Sequence, residues 1–182
     1  NIVRYIEENN QEVCFIFTNS HIMETINDEC KYFIKNILIP TDEFANYIYN
    51  VIKSKNIPLD YNIIHFRLGD SMLVRNNNNL NFELYLNLFN KYKENNDILM
   101  SDNVKFKENI MEIDKTVHLF HINIAHLGYE QHKDNIKDTL LEFFITTKAK
   151  KIKTYTIYGH RSGFVNIANL IYNIPIHEIK VE

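Results

Sequence analysis

Apolar and polar positions fall into alternating short blocks along this chain. Tyr61 to Phe66 is a largely apolar run ended by Arg67-Leu68-Gly69-Asp70, which predicts a strand entering a loop. Asp97 to Ser101, a stretch around Val117 to Phe120, Ile152 to Tyr158 and Ile174 to Val181 predict further strands. Between them the apolar spacing is helical. Leu80 to Tyr92 suits a helix with a buried face, Asn103 to Asn109 a brief one, Gln131 to Lys150 the longest, and Ser162 to Tyr172 the last. Upstream, Val13 to Thr18 is a short β-rich run, and Ile22 to Ile39 has loose helical spacing up to Pro40. Thr41-Asp42-Glu43 offers a cap and early acid to an amphipathic helix reaching about Lys55. From Tyr61 onward strands alternate with helices, the pattern of an α/β domain with a mainly parallel sheet. Ligands of such sheets bind at the carboxyl ends of the strands, near a switch point. Three strand-end loops therefore stand out: His65 to Asp70, Ser101-Asp102, and Tyr158 to Phe164.

Composition narrows the field. The 182 residues suit one domain or one and a half, and 45% hydrophobic with 24% charged residues is ordinary for a globular chain. A net charge of −3 gives no electrostatic footprint for nucleic acid, and no apolar run is long enough to span a membrane. No secretory signal is visible, and Cys14 and Cys30 make no disulfide framework. They read as reduced, buried thiols, which suggests a cytoplasmic setting. The chain opens on Asn1, and we expect it to be part of something longer, with residues 1–40 the end of a preceding domain or a linker and 41–182 the α/β domain. Lys outnumbers Arg 16 to 4, so an Arg should persist where a guanidinium is required. Two of the four, Arg67 and Arg161, lie in the strand-end loops, as do Gly69, Gly159 and Gly163.

Each loop has a functional and a plain reading. Strand alternation turns His65 and Arg67 to one side and Phe66 and Leu68 to the other. An Arg at a strand end beside a Gly can fork onto a phosphate or pyrophosphate; the alternative is an Arg67–Asp70 pair bracing the loop. Gly159 after a strand, with Ser162-Gly163 opening a helix, lets backbone N–H groups approach an anion; the alternative is a turn with a Ser cap. The loop matches neither a Walker A nor a dinucleotide-binding glycine pattern. Asp138 and Glu142, one turn apart, form either a carboxylate face for a purine edge or ribose, or a solvated face. Asp102 either binds a hydroxyl or caps the following helix, and capping is the expectation. His118, His121, His126 and His132 lack metal-site spacing, so no metal is expected.

Taken together the loops resemble the donor-binding half of the fucosyltransferase superfamily, the α1,2-, α1,6- and protein O-fucosyltransferases. Ile64-His65-Phe66-Arg67-Leu68-Gly69-Asp70 is similar to the family's His-x-Arg-x-Gly-Asp segment. Leu99-Met100-Ser101-Asp102 is similar to its strand ending in Ser/Thr-Asp. Asp138 to Phe144, Ala149 and Ser162-Gly163-Phe164 are similar to its acidic helix and Ser-x-Phe loop. The likeness covers residues from about 60 to 182. It implies a Rossmann-like sheet flanked by helices, the C-terminal half of a GT-B glycosyltransferase, inverting and metal-independent. The enzyme would use GDP-fucose or a related nucleotide sugar as donor, a glycan or protein hydroxyl as acceptor, and no cofactor.

By the same likeness Arg67 would bind the β-phosphate and stabilise the leaving GDP, and His65 would contact the nucleotide. Glu142 would take the guanine edge, where the family usually has Asp. Ser162, Gly163 and Phe164 would line the phosphate loop, and Gly69, Asp70, Asp102 and Arg161 would complete the donor site. The general base is expected from the other domain or the acceptor. The competing readings are a non-catalytic nucleotide-sugar- or glycan-binding module of the same fold, and an α/β interaction protein with structural loops. The transferase reading requires Arg67 to face the crevice rather than lie locked in the core by an acid.

Overall fold

The computed structural model describes residues 25–69, 80–120 and 133–181. Val13 to Thr18, Cys14, Asp70, Asn76 to Asn79, His121, His126 and His132 lie outside them. In chain order the elements are α1 (Asp28–Ile37), α2 (Asp42–Ser54), β1 (Asn62–Arg67), α3 (Phe82–Tyr92), β2 (Asp97–Ser101), α4 (Val104–Ile113), α5 (Lys133–Thr146), β3 (Ile152–Thr156), α6 (Gly163–Tyr172) and β4 (Ile176–Glu178). The four strands form one all-parallel sheet in the order β2-β1-β3-β4. This is a Rossmann-like α/β fold.

Alternation along each buried strand divides the core. Ile63 of β1, Ile98 and Met100 of β2 and Ile152 of β3 face α2, α5 and α6, with Leu141, Ile145, Val165 and Ala168 packed against them. Ile64 and Phe66 of β1 and Leu99 of β2 face α3 and α4, against Tyr85, Leu88, Phe89, Phe106 and Ile110. Helices thus cover both faces. The crossover β1–α3–β2 leaves the centre in one direction and β3–α6–β4 in the other, with their helices on opposite faces, as crossovers of one hand require. The switch point lies between the carboxyl ends of β1 and β3.

Several boundaries differ from the sequence reading. The expected brief helix after β2 runs on to Ile113. The expected strand near Val117 is reduced to one bridge, in which His118 accepts at its carbonyl from Leu99 N at 2.8 Å. β4 keeps three residues of the eight expected. Cys30, expected to be buried, is exposed. Half-buried Lys31, Ile34, Lys35 and Leu38 mark the packed stripe of α1, and Cys30 lies off it. That stripe meets α6, where Lys31 donates to Asn173 Oδ1 at 3.3 Å and the Lys35 ammonium sits 5.6 Å from the centre of the Tyr172 ring. α1 therefore packs against α6 of the sheet domain. No helix among the described residues is long and apolar enough to cross a membrane.

Candidate functional site at the ends of β1, β2 and β3

The register of β1 against β2 pairs Phe66 with Ser101, so the next residues, Arg67 and Asp102, leave the sheet side by side. The Arg67 Nη1 donates to Asp102 Oδ2 in an ion pair. The same carboxylate accepts from Leu68 N (Oδ1, 2.8 Å) and Gly69 N (Oδ2, 3.0 Å). Gly69 has φ of 85°, the left-handed region that favours glycine. The Arg67 guanidinium also lies over the Tyr158 ring, 5.7 Å from its centre. The Arg67 side chain remains 23% exposed, so the pair sits at the rim of the sheet and not in the core.

Asp102 does not cap the following helix. Asn103 does, its Oδ1 accepting from Phe106 N at 2.9 Å while its Nδ2 donates to Gly69 O at 3.3 Å. The Asn103 amide thus ties the start of α4 to the end of β1, while the Asp102 carboxylate is engaged by Arg67. Ser101 contributes its hydroxyl to Phe66 O at 2.7 Å. Burial raises the Asp102 carboxyl above its ordinary range, against the opposing pull of Arg67 and the backbone N–H groups.

His65 shares a sheet face with Ile63 and is buried. Its Nδ1 is 3.0 Å from Thr154 Oγ1, and its ring stacks on Phe164 at 6.4 Å between centres. Burial, then the charge of Arg67, lowers its pKa to about 3, so it is a neutral imidazole. Phe164 in turn meets Phe143 edge-on. His65 and Phe164 thus form a packed floor beneath the strand ends.

Glu142 does not lie on a solvated face. It is only 3% exposed, and among the described residues its Oε1 has no hydrogen-bond partner. Burial raises its carboxyl to about 7, with Lys107 opposing and Asp138 adding to the rise. Lys107 of α4, at 1% exposure, feels both Glu142 and Asp102, and its own pKa is lowered by burial. Sequence reasoning passed over Lys107, although its signal was present: it shares the apolar stripe of Phe106 and Ile110. It also gave no role to Tyr158, whose ring underlies Arg67.

The loop after β3 is built differently from the expectation. Ser162 occupies the N-cap position of α6 but makes no side-chain capping bond. A Cβ at Gly159 or Gly163 would meet nothing within 4 Å, so the chain itself does not demand glycine at either place. Arg161 turns toward β4, where Nη2 and Nε reach Glu178 Oε1 at 2.8 and 3.2 Å and Nη1 reaches Asn166 Oδ1 at 3.3 Å. A cleft of about 260 Å³ opens here, lined by Thr154, Thr156, Tyr158, Gly159, His160, Arg161, Glu178 and Ile179. The structure therefore brings Arg67, Gly69 and Asp102 together, pairs His65 with Phe164, and ties Arg161 to Glu178. Asp70 lies outside the described residues, and among those described no cluster of metal-ligating side chains occurs. No protein-family model matches the sequence, and no curated protein matches it.

Proposed function

We propose that this chain is the donor-binding half of a glycosyltransferase of the fucosyltransferase type, taking GDP-fucose or a related nucleotide sugar. The observation that carries the reading is the position of Arg67: a preset guanidinium at the carboxyl end of the central strand, beside the switch point where doubly wound sheets bind ligands. In the proposed reaction an acceptor hydroxyl attacks the anomeric carbon from the face opposite GDP. The bond between that carbon and the β-phosphate oxygen breaks, its electron pair stays on GDP, and the hydroxyl proton goes to a base. Arg67 meets the negative charge that grows on the diphosphate, in a place where its orientation is already set. The same reading assigns the guanine edge to Glu142, whose Oε1 has no hydrogen-bond partner among the described residues.

Calorimetry with GDP and GDP-fucose tests the reading. Arg67→Ala should weaken GDP binding about 10- to 100-fold, the worth of charge-assisted hydrogen bonds. Arg67→Lys should lose most of that, because an ammonium cannot fork onto a diphosphate. Near-normal GDP affinity in the lysine variant overturns the assignment.

The Arg67–Asp102 pair favours a second reading, in which the arginine braces the strand ends of a module that does not transfer sugar. Binding of GDP-fucose without transfer to any acceptor supports a binding module. Absence of binding supports a structural brace.

A further inference from the structure

Resting on that reading, we infer that Asp102 is the positioning residue that sets Arg67 for a second phosphoryl group, and so governs preference for nucleoside diphosphates over monophosphates. Both carboxylate oxygens of Asp102 are already engaged within the chain. Its Oδ1 is taken by Leu68 N and its Oδ2 by Gly69 N and Arg67 Nη1. These donors come from three consecutive residues, so one carboxylate delivered by the end of β2 grips the whole turn by which the chain leaves β1. The carboxylate is itself gripped. It is 10% exposed, and the adjacent Asn103 fastens Gly69 O at 3.3 Å.

The consequence for Arg67 is directional. A guanidinium carries five N–H donors in a rigid planar fork. Fixing one nitrogen on Asp102, with the cation held over the Tyr158 ring, fixes the direction of the rest. The rotamer entropy of a long side chain is then lost on folding and not on binding. A phosphoryl group in line with that fork gains from the arrangement; a nucleotide one phosphoryl shorter does not reach it and gains nothing.

The test is titration calorimetry of the full chain with GMP and GDP, on the wild type, Asp102→Asn, Arg67→Lys and the double variant, with the folded fraction of each fixed by urea unfolding in the same buffer. Asp102→Asn should weaken GDP about 10-fold while leaving GMP within about twofold. In the Arg67→Lys background the same change should cost nothing further, since the fork it positions is gone. Equal losses for GMP and GDP, or full additivity with Arg67→Lys, overturn the role of Asp102 while leaving nucleotide binding standing. If wild type binds neither nucleotide, the proposed function itself fails. Should Asp102→Asn not fold, Asp102→Glu carries the test: it keeps the charge but moves it by a methylene, and should narrow the gap between GDP and GMP with GMP affinity unchanged.

Discussion

At the scale of single residues, the strand-end turn concentrates the constraints. Gly69 adopts φ of 85° while its N–H is committed to Asp102 and its carbonyl to Asn103. A Cβ in that backbone region costs about 1–2 kcal/mol. Gly69→Ala should therefore lower unfolding free energy by about that much in urea titration, and an unchanged midpoint would contradict the local geometry. Arg67 and Gly69 were legible in the sequence because both residue types are scarce and fall together. Their partner was not. Arg67 and Asp102 are 35 positions apart and meet only because the β1–β2 register sets Phe66 opposite Ser101, which no local pattern reveals. Lys107 was passed over: its place on the stripe of Phe106 and Ile110 marks it as buried, but the carboxylates it meets, Glu142 and Asp102, lie on other elements.

At the scale of elements, burial and capping decide how firmly the site is held. Phe66 of β1 is fully buried among Phe89, Phe106 and Tyr155, with ring centres 6.4, 4.9 and 5.8 Å away. Phe66→Ala should destabilise by about 3–5 kcal/mol, from lost transfer energy and an unfilled cavity. Asn103→Ala removes the α4 cap and should cost about 1 kcal/mol; a larger loss would measure the added tie to Gly69. Both are read from chemical denaturation. The alternation of strand and helix from Tyr61 onward was legible because each run carries its own period and punctuation. The short Val117 segment was not, because β-like composition does not set how far a segment follows its neighbour, and among the described residues only His118 meets the outer strand β2.

For the whole molecule, two buried groups give opposing dependences on pH. His65 is held at about 3 against an ordinary 6.5, so the unfolded chain binds its proton first, and stability falls as pH drops below about 6.5. Glu142 is held at about 7 against an ordinary 4.5, so the folded chain binds its proton more tightly, and stability falls as pH rises from about 4.5 to 7. Between about 4.5 and 6.5 the two slopes work against each other. Glu142→Gln should leave the histidine slope, with stability rising with pH across that window. His65→Gln should leave the carboxyl slope, with stability falling. Urea unfolding at half-unit pH steps checks both signs, and parallel profiles for the two variants would refute the assignment of either group.

The sheet also limits its own growth. Among the described residues one outer strand, β4, is only three residues long and carries the polar His177 and Glu178. Beyond the other, β2, His118 already occupies the Leu99 amide. A foreign chain seeking to extend the ladder from either flank finds a short or partly taken row of amides.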